Sequence, residues 1–345
     1  MNHQSSVSWK CPSNIALVKY WGKHGRQLPR NPSISFTLNN AHTTTKVDYE
    51  YNSDKSDGPQ LEFYFENEAK PEFESKILKF LNAIKDVLPI VEQLKMKIYS
   101  SNSFPHSSGI ASSASSMAAL SMCLLDIEKE VLNLDHIDLK KASLIARLGS
   151  GSASRSIFPH MAVWGKHNAI KDSSDEWAIA YTEGIQDTFL SFHDDILIVS
   201  NKEKSVSSRA GHALMENNPY SSARFNQANE HMVKIIQAMQ SGDYQTFGNI
   251  VEKEALTLHA LMMSSDPPYI LMEPVTLHII KAIQDFRKEQ GIPVYFTLDA
   301  GPNIHLLYPD EVSQQVATLK TYLKDYCFES MIIEDHVGKG PEKVA

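Results

Sequence analysis

The chain has 345 residues, with 33 Lys and Arg against 41 Asp and Glu, a formal net charge of −8. Hydrophobic residues make up 42% and charged residues 21%, the balance of an ordinary soluble globular protein. The acidic balance and the lack of a basic block argue against a nucleic-acid partner, and no apolar run reaches the ~18 residues of a membrane span. Met1 to Trp9 has no basic region leading into an apolar stretch, so it does not read as a secretory signal. Cys11, Cys123 and Cys327 are too far apart for a disulfide framework or a CxxC metal knuckle. These features predict a cytoplasmic enzyme with no membrane contact.

Along the chain, Asn14–Trp21 alternates, with Ile15, Leu17, Lys19 and Trp21 on one face of a strand. Thr43–Tyr51 and Leu61–Glu66 are β-branched and aromatic runs separated by an Asp-Gly-Pro turn. Pro71 opens a helix to about Val87, with Phe73, Ile77, Phe80 or Leu81, and Ile84 at helical spacing, and Lys95–Tyr99 is a further strand. Helices follow over Ser112–Ile127 and Asp138–Arg147, then a short strand over Ile196–Ser200. Gly165–Trp177 has the polar composition of a surface hairpin. Three long helices are predicted over Ser221–Gln240, Tyr244–Met263 and Pro274–Gln290. Strands Val294–Leu298 and His305–Tyr308 flank an Asp-Ala-Gly-Pro-Asn turn, and a helix and a last strand, Phe328–Glu334, precede a frayed tail from Gly338. This pattern is α+β, in two domains meeting near residue 190.

Four segments carry candidate chemistry. Ser100–Ser116 holds nine serines in seventeen residues, with Pro105 and Gly109 just before a helix. A strand, a small-residue loop and a helix N-terminus make an anion site, because unpaired N–H groups and the positive end of the dipole meet there. Serine capping of an entry loop would need no ligand. The segment is not a Walker loop, since no Gly-Lys pair has the earlier glycine and the following Ser or Thr. Gly149–Ser156 exposes serines and Arg155, whose planar fork suits carboxylate or phosphate, or else forms a C-cap loop with a surface arginine. Asp299 is placed either for a cleft or for a hairpin turn. Lys19, in an apolar row, either snorkels to the surface or is held inward for an anion.

Taken together and in this order, SNIALVKYWGKHG, NSFPHSSGIASSAS, RLGSGSASRS and FTLDAGPNIHLLYP resemble the signature segments of the diphosphomevalonate decarboxylase family, within the GHMP small-molecule kinase superfamily. SVSSRAGHALM and VEKEALTLHALMMSSDPPYILM extend the resemblance over nearly the whole chain. It implies a two-domain fold: residues 1–190 as a ribosomal S5 domain 2-like N-terminal domain with the phosphate loop, and residues 191–345 as a ferredoxin-like domain with extra helices. It implies ATP-dependent decarboxylation of (R)-5-diphosphomevalonate to isopentenyl diphosphate in the mevalonate pathway, with ATP as cosubstrate, Mg²⁺, and a homodimer. By matching motif, Asp299, Lys19 and Arg155 are implied as catalytic. Asn14, Tyr20, Lys23, Ser150, Ser152, Arg155, Ser208 and Arg209 are implied to bind substrate. Ser107, Ser108, Gly109, Ala111, Ser112 and Ser113 are implied to bind ATP, with Ser112 and Ser113 also at the metal. The family's FPTAAGLASSA is here FPHSSGIASSA, and His212 stands where methionine is more usual. A decarboxylase of the monophosphate, a mevalonate-type kinase and a nucleotide-binding regulator derived from this fold are the competing readings.

Overall fold

The computed structural model describes residues 2–54, 58–105, 110–202 and 206–344. Its N-terminal strand β1 (Asn2–Val18) runs antiparallel to the long β4 (Ser33–Asn52), with register shifts after Pro12 and after Ala16. A small ribbon of β2 (Lys23–His24) and β3 (Leu28–Pro29) lies between them. Next come β5 (Gln60–Phe65), β6 (Glu68–Ala69), α1 (Pro71–Ile84), β7 (Leu94–Asn102), α2 (Ser112–Leu132) and α3 (Leu139–Gly149). A 3₁₀ turn over Gly151–Ile157 leads to β8 (Met161–Trp164) and β9 (Ile179–Ala180). From Ala41 to Tyr49, β4 alternates buried and exposed positions as a one-sided strand must, whereas Ser33–Leu38 is buried throughout. Helix α2 is buried at every position from Ala118 to Glu128, because it lies at the centre of the first core against β1 and β4.

The second half contains β10 (His193–Leu197), α4 (Ser208–Leu214), α5 (Ser221–Ser241), α6 (Tyr244–Met263), α7 (Pro274–Gln290), β11 (Tyr295–Thr297), β12 (Ile304–Tyr308), α8 (Ser313–Lys324), β13 (Ile332–Ile333) and β14 (Glu342–Lys343). The large sheet has the order β14-β1-β4-β7-β5-β6, with β8 and β9 attached along the first half of β4. The small sheet is antiparallel, β11-β12-β10-β13, and packs on α7 and α8 through Ile279, Ile283, Phe296, Leu306 and Leu319. A third core joins the halves: Ile15, Leu17 and Phe36 from the large sheet meet Met232, Ile235, Phe247 and Val251 from α5 and α6. Asp335 ties the same junction, its carboxylate accepting the N–H groups of Asn39, Asn40 and Ala41 at 2.7–2.9 Å.

Several local expectations need revision, among them the strand expected over Ile196–Ser200, which runs His193–Leu197 against β12. The strand expected from Asn14 begins at Asn2, and Lys19 lies just past its end. The helix from Pro71 stops at Ile84, where the Val87 and Leu88 N–H groups fold back to the Ile84 carbonyl. The last strand is only Ile332–Ile333, because Phe328–Ser330 forms a 3₁₀ turn in which Glu329 has a φ of 48°. The tail is not frayed. Gly338 donates to the Thr37 carbonyl at 2.7 Å, β14 pairs with Trp9 and Lys10, and Lys343 Nζ lies 2.7 Å from the buried Asp126. The segment after Gly165 does connect an antiparallel pair, β8 and β9, and Glu176 within it holds Arg147 at 2.7 Å.

The docked tail depends on a close backbone approach. A Cβ on Gly338 would lie 2.2 Å from the Leu38 carbonyl oxygen, which cannot swing aside as a side chain would. Gly338→Ala is expected to lower stability by about 1–3 kcal/mol, read as a drop in Tm and as new proteolytic cleavage after residue 338. An unchanged Tm would show that the tail does not contribute to the fold.

Candidate active site

Strand β1 ends at Val18, so the next peptide leaves the sheet ladder and needs other partners. The Lys19 N–H donates to Glu254 Oε2 at 2.8 Å, and its carbonyl accepts from Arg224 at 2.9 Å and Asn31 at 3.0 Å. This turns the Lys19 side chain inward. Its Nζ lies 3.3 Å from Asp299 Oδ1, with the lysine side chain 2% exposed and the aspartate 31%. Burial pushes the ammonium below the usual lysine range, opposed by Asp299, Glu254 and Asp194. Of the two readings of Lys19, the inward one holds.

Arg155 is likewise buried, not a surface residue of a capping loop. The 3₁₀ turn after α3 carries it under β1 and β4. There its guanidinium donates to Asn14 Oδ1 at 3.1 and 3.3 Å and to Ser33 Oγ at 2.8 Å. Asn14 is oriented in turn by donating to the Ser152 carbonyl and Ser156 Oγ, at 3.1 and 2.8 Å. Burial lowers the Arg155 guanidinium to about 10, and the charge of Asp299 is close enough to oppose this. Thus Asn14 and Lys19 from β1 and its end, Arg155 from the 3₁₀ turn and Asp299 from the β11–β12 turn converge from three separate segments.

Tyr20 packs on Trp164 and on the ring of His212, with centroids 4.6 and 4.3 Å apart. His212 lies between Tyr20 and Trp21, and its Nδ1 accepts the Gly22 N–H at 3.0 Å. Helix α4 reaches this position because Gly211 has no side chain: a Cβ there would meet Trp21 at 2.8 Å and the Tyr269 hydroxyl at 2.6 Å. Arg209, exposed on the first turn of α4, and Lys23, half-buried on β2, are close enough that burial and the charge of Arg209 together lower the lysine. Ser208 opens that helix, while the capping oxygen is Ser207 Oγ, which accepts the Ala210 N–H at 3.2 Å. Two cations side by side form a receptor for an anion.

Helix α2 starts at Ser112. Ala111 precedes it with a φ of 27° and supplies no side-chain cap to the first turn. Ser113 Oγ and Ser150 Oγ are 3.2 Å apart, so the start of α2 and the Gly149–Ser156 segment form one wall. Ser152 is half-buried on that wall. Ser107, Ser108 and Gly109 lie outside the described residues. Ile110, Asp299, Gly301, Asn303 and His305 line a cavity of about 10 Å³, room for one water.

Sequence reasoning missed Ser33, Asn31, Arg224, His231, Glu254 and His259. Buried charged residues on α5 and α6 were the available signal, and the helical periodicity hid it by treating every polar position as solvent-facing. His231 Nδ1 and Arg224 both donate to Glu254, at 2.5–2.7 Å. Burial would raise the Glu254 carboxyl, but Arg224 and His231 outweigh it and hold it at about 2.

The two sheets, the bridging helices and the serine-rich start of α2 form a two-domain fold of GHMP kinase type, shared with the solved structures that superpose on it. A mevalonate diphosphate decarboxylase from Staphylococcus aureus matches with a TM-score of 0.84 and 30% identity, over 99% of both chains. The structure of MDDEF in complex with MVAPP, AMPPCP and magnesium matches with a TM-score of 0.83 and 28% identity, again over 99% of both chains. Residues 11–175 match the family model described as diphosphomevalonate decarboxylase-like N-terminal domain, and residues 195–344 that of mevalonate 5-diphosphate decarboxylase C-terminal domain. The diphosphomevalonate decarboxylase of Ganoderma lucidum is 31% identical over 92% of this chain and 81% of its own length. That of Candida albicans is 29% identical over 99% and 98%. The chain belongs to the diphosphomevalonate decarboxylase family.

Burial, the charge of Lys23 and that of Arg155 hold His212 at about 3, well below its ordinary value of 6.5, with Asp299 opposing. The unfolded chain therefore takes up a proton near 6.5 that the folded one refuses until about 3, and stability falls as pH drops across that window. His212→Asn keeps an acceptor near the Gly22 N–H and removes the titration. Its Tm should decline less steeply than wild type between pH 6.5 and 3, measured by thermal melts at fixed ionic strength. Parallel slopes would place a protonated imidazole in the native state.

Proposed function

We propose that Asp299, Lys19 and Arg155 carry out, in this chain, the ATP-dependent decarboxylation of (R)-5-diphosphomevalonate to isopentenyl diphosphate. Carbon dioxide, ADP and phosphate are the other products. The observation that carries the residue assignment is the buried Lys19 ammonium 3.3 Å from the partly exposed Asp299 carboxylate, whose charge also acts on Arg155.

The substrate is a tertiary alcohol β to a carboxylate, and hydroxide is a poor leaving group. Transfer of the γ-phosphoryl group of ATP to that oxygen makes it a good one. Phosphate then departs, C3 gains positive character, and the electrons of the breaking C–CO₂ bond form the new double bond. A carboxylate is far too weak a base to pre-form the tertiary alkoxide. Asp299 instead orients the hydroxyl and accepts its proton as the new P–O bond forms, as in other phosphoryl transfers. Lys19 fixes Asp299 as a carboxylate in one position. Arg155, held by Asn14 and Ser33, meets the substrate carboxylate and the charge that moves onto phosphate. Lys23 and Arg209 bind the diphosphate, with Tyr20 and Ser208 beside them and Ser150 and Ser152 on the wall that the Gly149–Ser156 segment shares with α2.

Ser107, Ser108, Gly109, Ala111, Ser112 and Ser113 form the ATP-binding segment. The uncapped first turn of α2 and the wall that Ser113 shares with Ser150 support this part. No cluster of three or more His, Cys, Asp or Glu suited to a metal occurs among the described residues. Neutral hydroxyls beside a helix start suit Mg²⁺ that is held mainly by phosphate oxygens and water, with Ser112 and Ser113 as its protein neighbours. When bound, the ion offsets phosphate charge during transfer.

In this reading residues 1–190 form the N-terminal domain with the phosphate loop and residues 191–345 the C-terminal domain. The homodimer is supported by Leu256, Ala260 and Met263, which share an exposed apolar face of α6. A cytoplasmic location is supported by three buried, free cysteines. No helix among the described residues is long and apolar enough to cross a membrane.

Asp299→Asn should keep the fold and ATP binding but reduce kcat by orders of magnitude, since an amide holds the hydroxyl yet takes no proton. Carbon dioxide release from diphosphomevalonate and ATP measures it, and near wild-type turnover would remove Asp299 from the chemistry. The two arginines should separate. Arg209→Gln raises KM for diphosphomevalonate, while Arg155→Gln mainly lowers kcat. Each loss is about 1.5–3 kcal/mol, on the order of 10- to 150-fold. The reverse pattern would mean that the two ends of the substrate lie the other way round.

A further inference from the structure

Helix α6 touches both members of the Lys19–Asp299 pair, and it does so through their main chains. Glu254, fully buried near the middle of the helix, accepts the Lys19 N–H at 2.8 Å. Five residues further on, the buried His259 donates from Nε2 to the Asp299 carbonyl at 3.1 Å. The pair itself comes from segments 280 residues apart, one just past the end of β1 and one in the β11–β12 turn. Neither peptide sits in a sheet ladder, so neither position is set by regular structure.

We infer that α6 is the rigid spacer of the active site, with Glu254 and His259 as positioning residues that set the distance and direction between Lys19 Nζ and the Asp299 carboxylate. This rests on the roles given to Lys19 and Asp299 above. A five-residue helical separation spans about 7.5 Å along the axis, and two groups gripped by one helix move together. Glu254 is held on its other sides by Arg224 and His231 from α5, so the grip on Lys19 is anchored across two helices. The underside is a small apolar cluster in which Trp21 and Ala300, two residues after Lys19 and one after Asp299, meet Leu258, Leu261 and Met262 of the same helix.

Glu254 also acts through charge. The carboxylates that oppose the desolvation of the Lys19 ammonium are Asp299 from the turn, Glu254 from α6 and Asp194 from β10, while the Arg224 guanidinium from α5 sits on the Lys19 carbonyl. Removing the Glu254 charge leaves Arg224 unneutralised and favours loss of the Lys19 proton. The alkaline limb of kcat must then move to lower pH.

The test uses the full-length enzyme, with kcat and KM from carbon dioxide release and Tm as a check on folding. His259→Gln keeps an N–H donor near the position of Nε2 and should retain kcat within about threefold. His259→Leu removes it and should lower kcat at least tenfold, with KM for diphosphomevalonate and ATP within about twofold of wild type. Glu254→Gln should lower kcat and move its alkaline limb down by at least half a pH unit. Equal kcat for the two His259 variants, or an unmoved limb in Glu254→Gln, overturns the inference. If Glu254→Gln does not fold, the His259 pair decides alone. Lys19→Met is assayed alongside: full activity there removes the catalytic reading of Lys19, and the inference with it. An inactive Lys19→Met with indistinguishable His259 variants overturns the spacer role alone.

Discussion

A lysine ammonium buried beside a single half-exposed carboxylate is the constraint from which most of this architecture follows. Taking a charge out of water costs several kcal/mol unless a partner and further hydrogen bonds compensate. Asp299 supplies the partner at 3.3 Å, but the lysine reaches it only because its peptide is held on both sides by Glu254, Arg224 and Asn31. Glu254 and Arg224 are buried charges themselves, and with His231 they satisfy one another at 2.5–2.7 Å. One buried charge at the end of β1 is thus accompanied by a small charged network inside the helical layer. The third core packs α5 and α6 against the first sheet tightly enough to keep water out of it.

Arg155 repeats the principle with different chemistry. Its fork is filled by an amide oxygen and a hydroxyl instead of a carboxylate, so its positive charge is oriented but not cancelled. A charge in that state is available to an anionic ligand. His212 beside it contributes no competing charge, since burial and the neighbouring cations keep the ring neutral in the physiological range. Lys19 and Arg155 thus lie close to the Asp299 carboxylate, with Lys23 near His212.

The two halves of the chain meet at the Lys19–Asp299 pair and along the tail. The β14 strand and Gly338 return the C-terminal tail to the first sheet, and Asp335 caps the Asn39–Ala41 bend. The two halves are consequently joined by main-chain contacts as well as by the third core.

The long helices were legible in the sequence, and Tyr244–Met263 and Pro274–Gln290 have the bounds that their periodicity indicates. An amphipathic period is a local property and survives in one dimension. The second half of β4, with one wet face, was legible for the same reason, whereas Ser33–Leu38, buried on both faces, left no alternation to read. Asn14, Lys19, Arg155 and Asp299 could be singled out as candidates along the chain because each sits in a short, distinctive segment. Whether Lys19 and Arg155 point inward or outward could not be read, because burial depends on which segment packs above them. Glu254 and His259 carried no signal as partners of the site at all. Their role exists only where α6 passes beneath two loops far apart in sequence, and proximity of that kind is decided by tertiary packing alone.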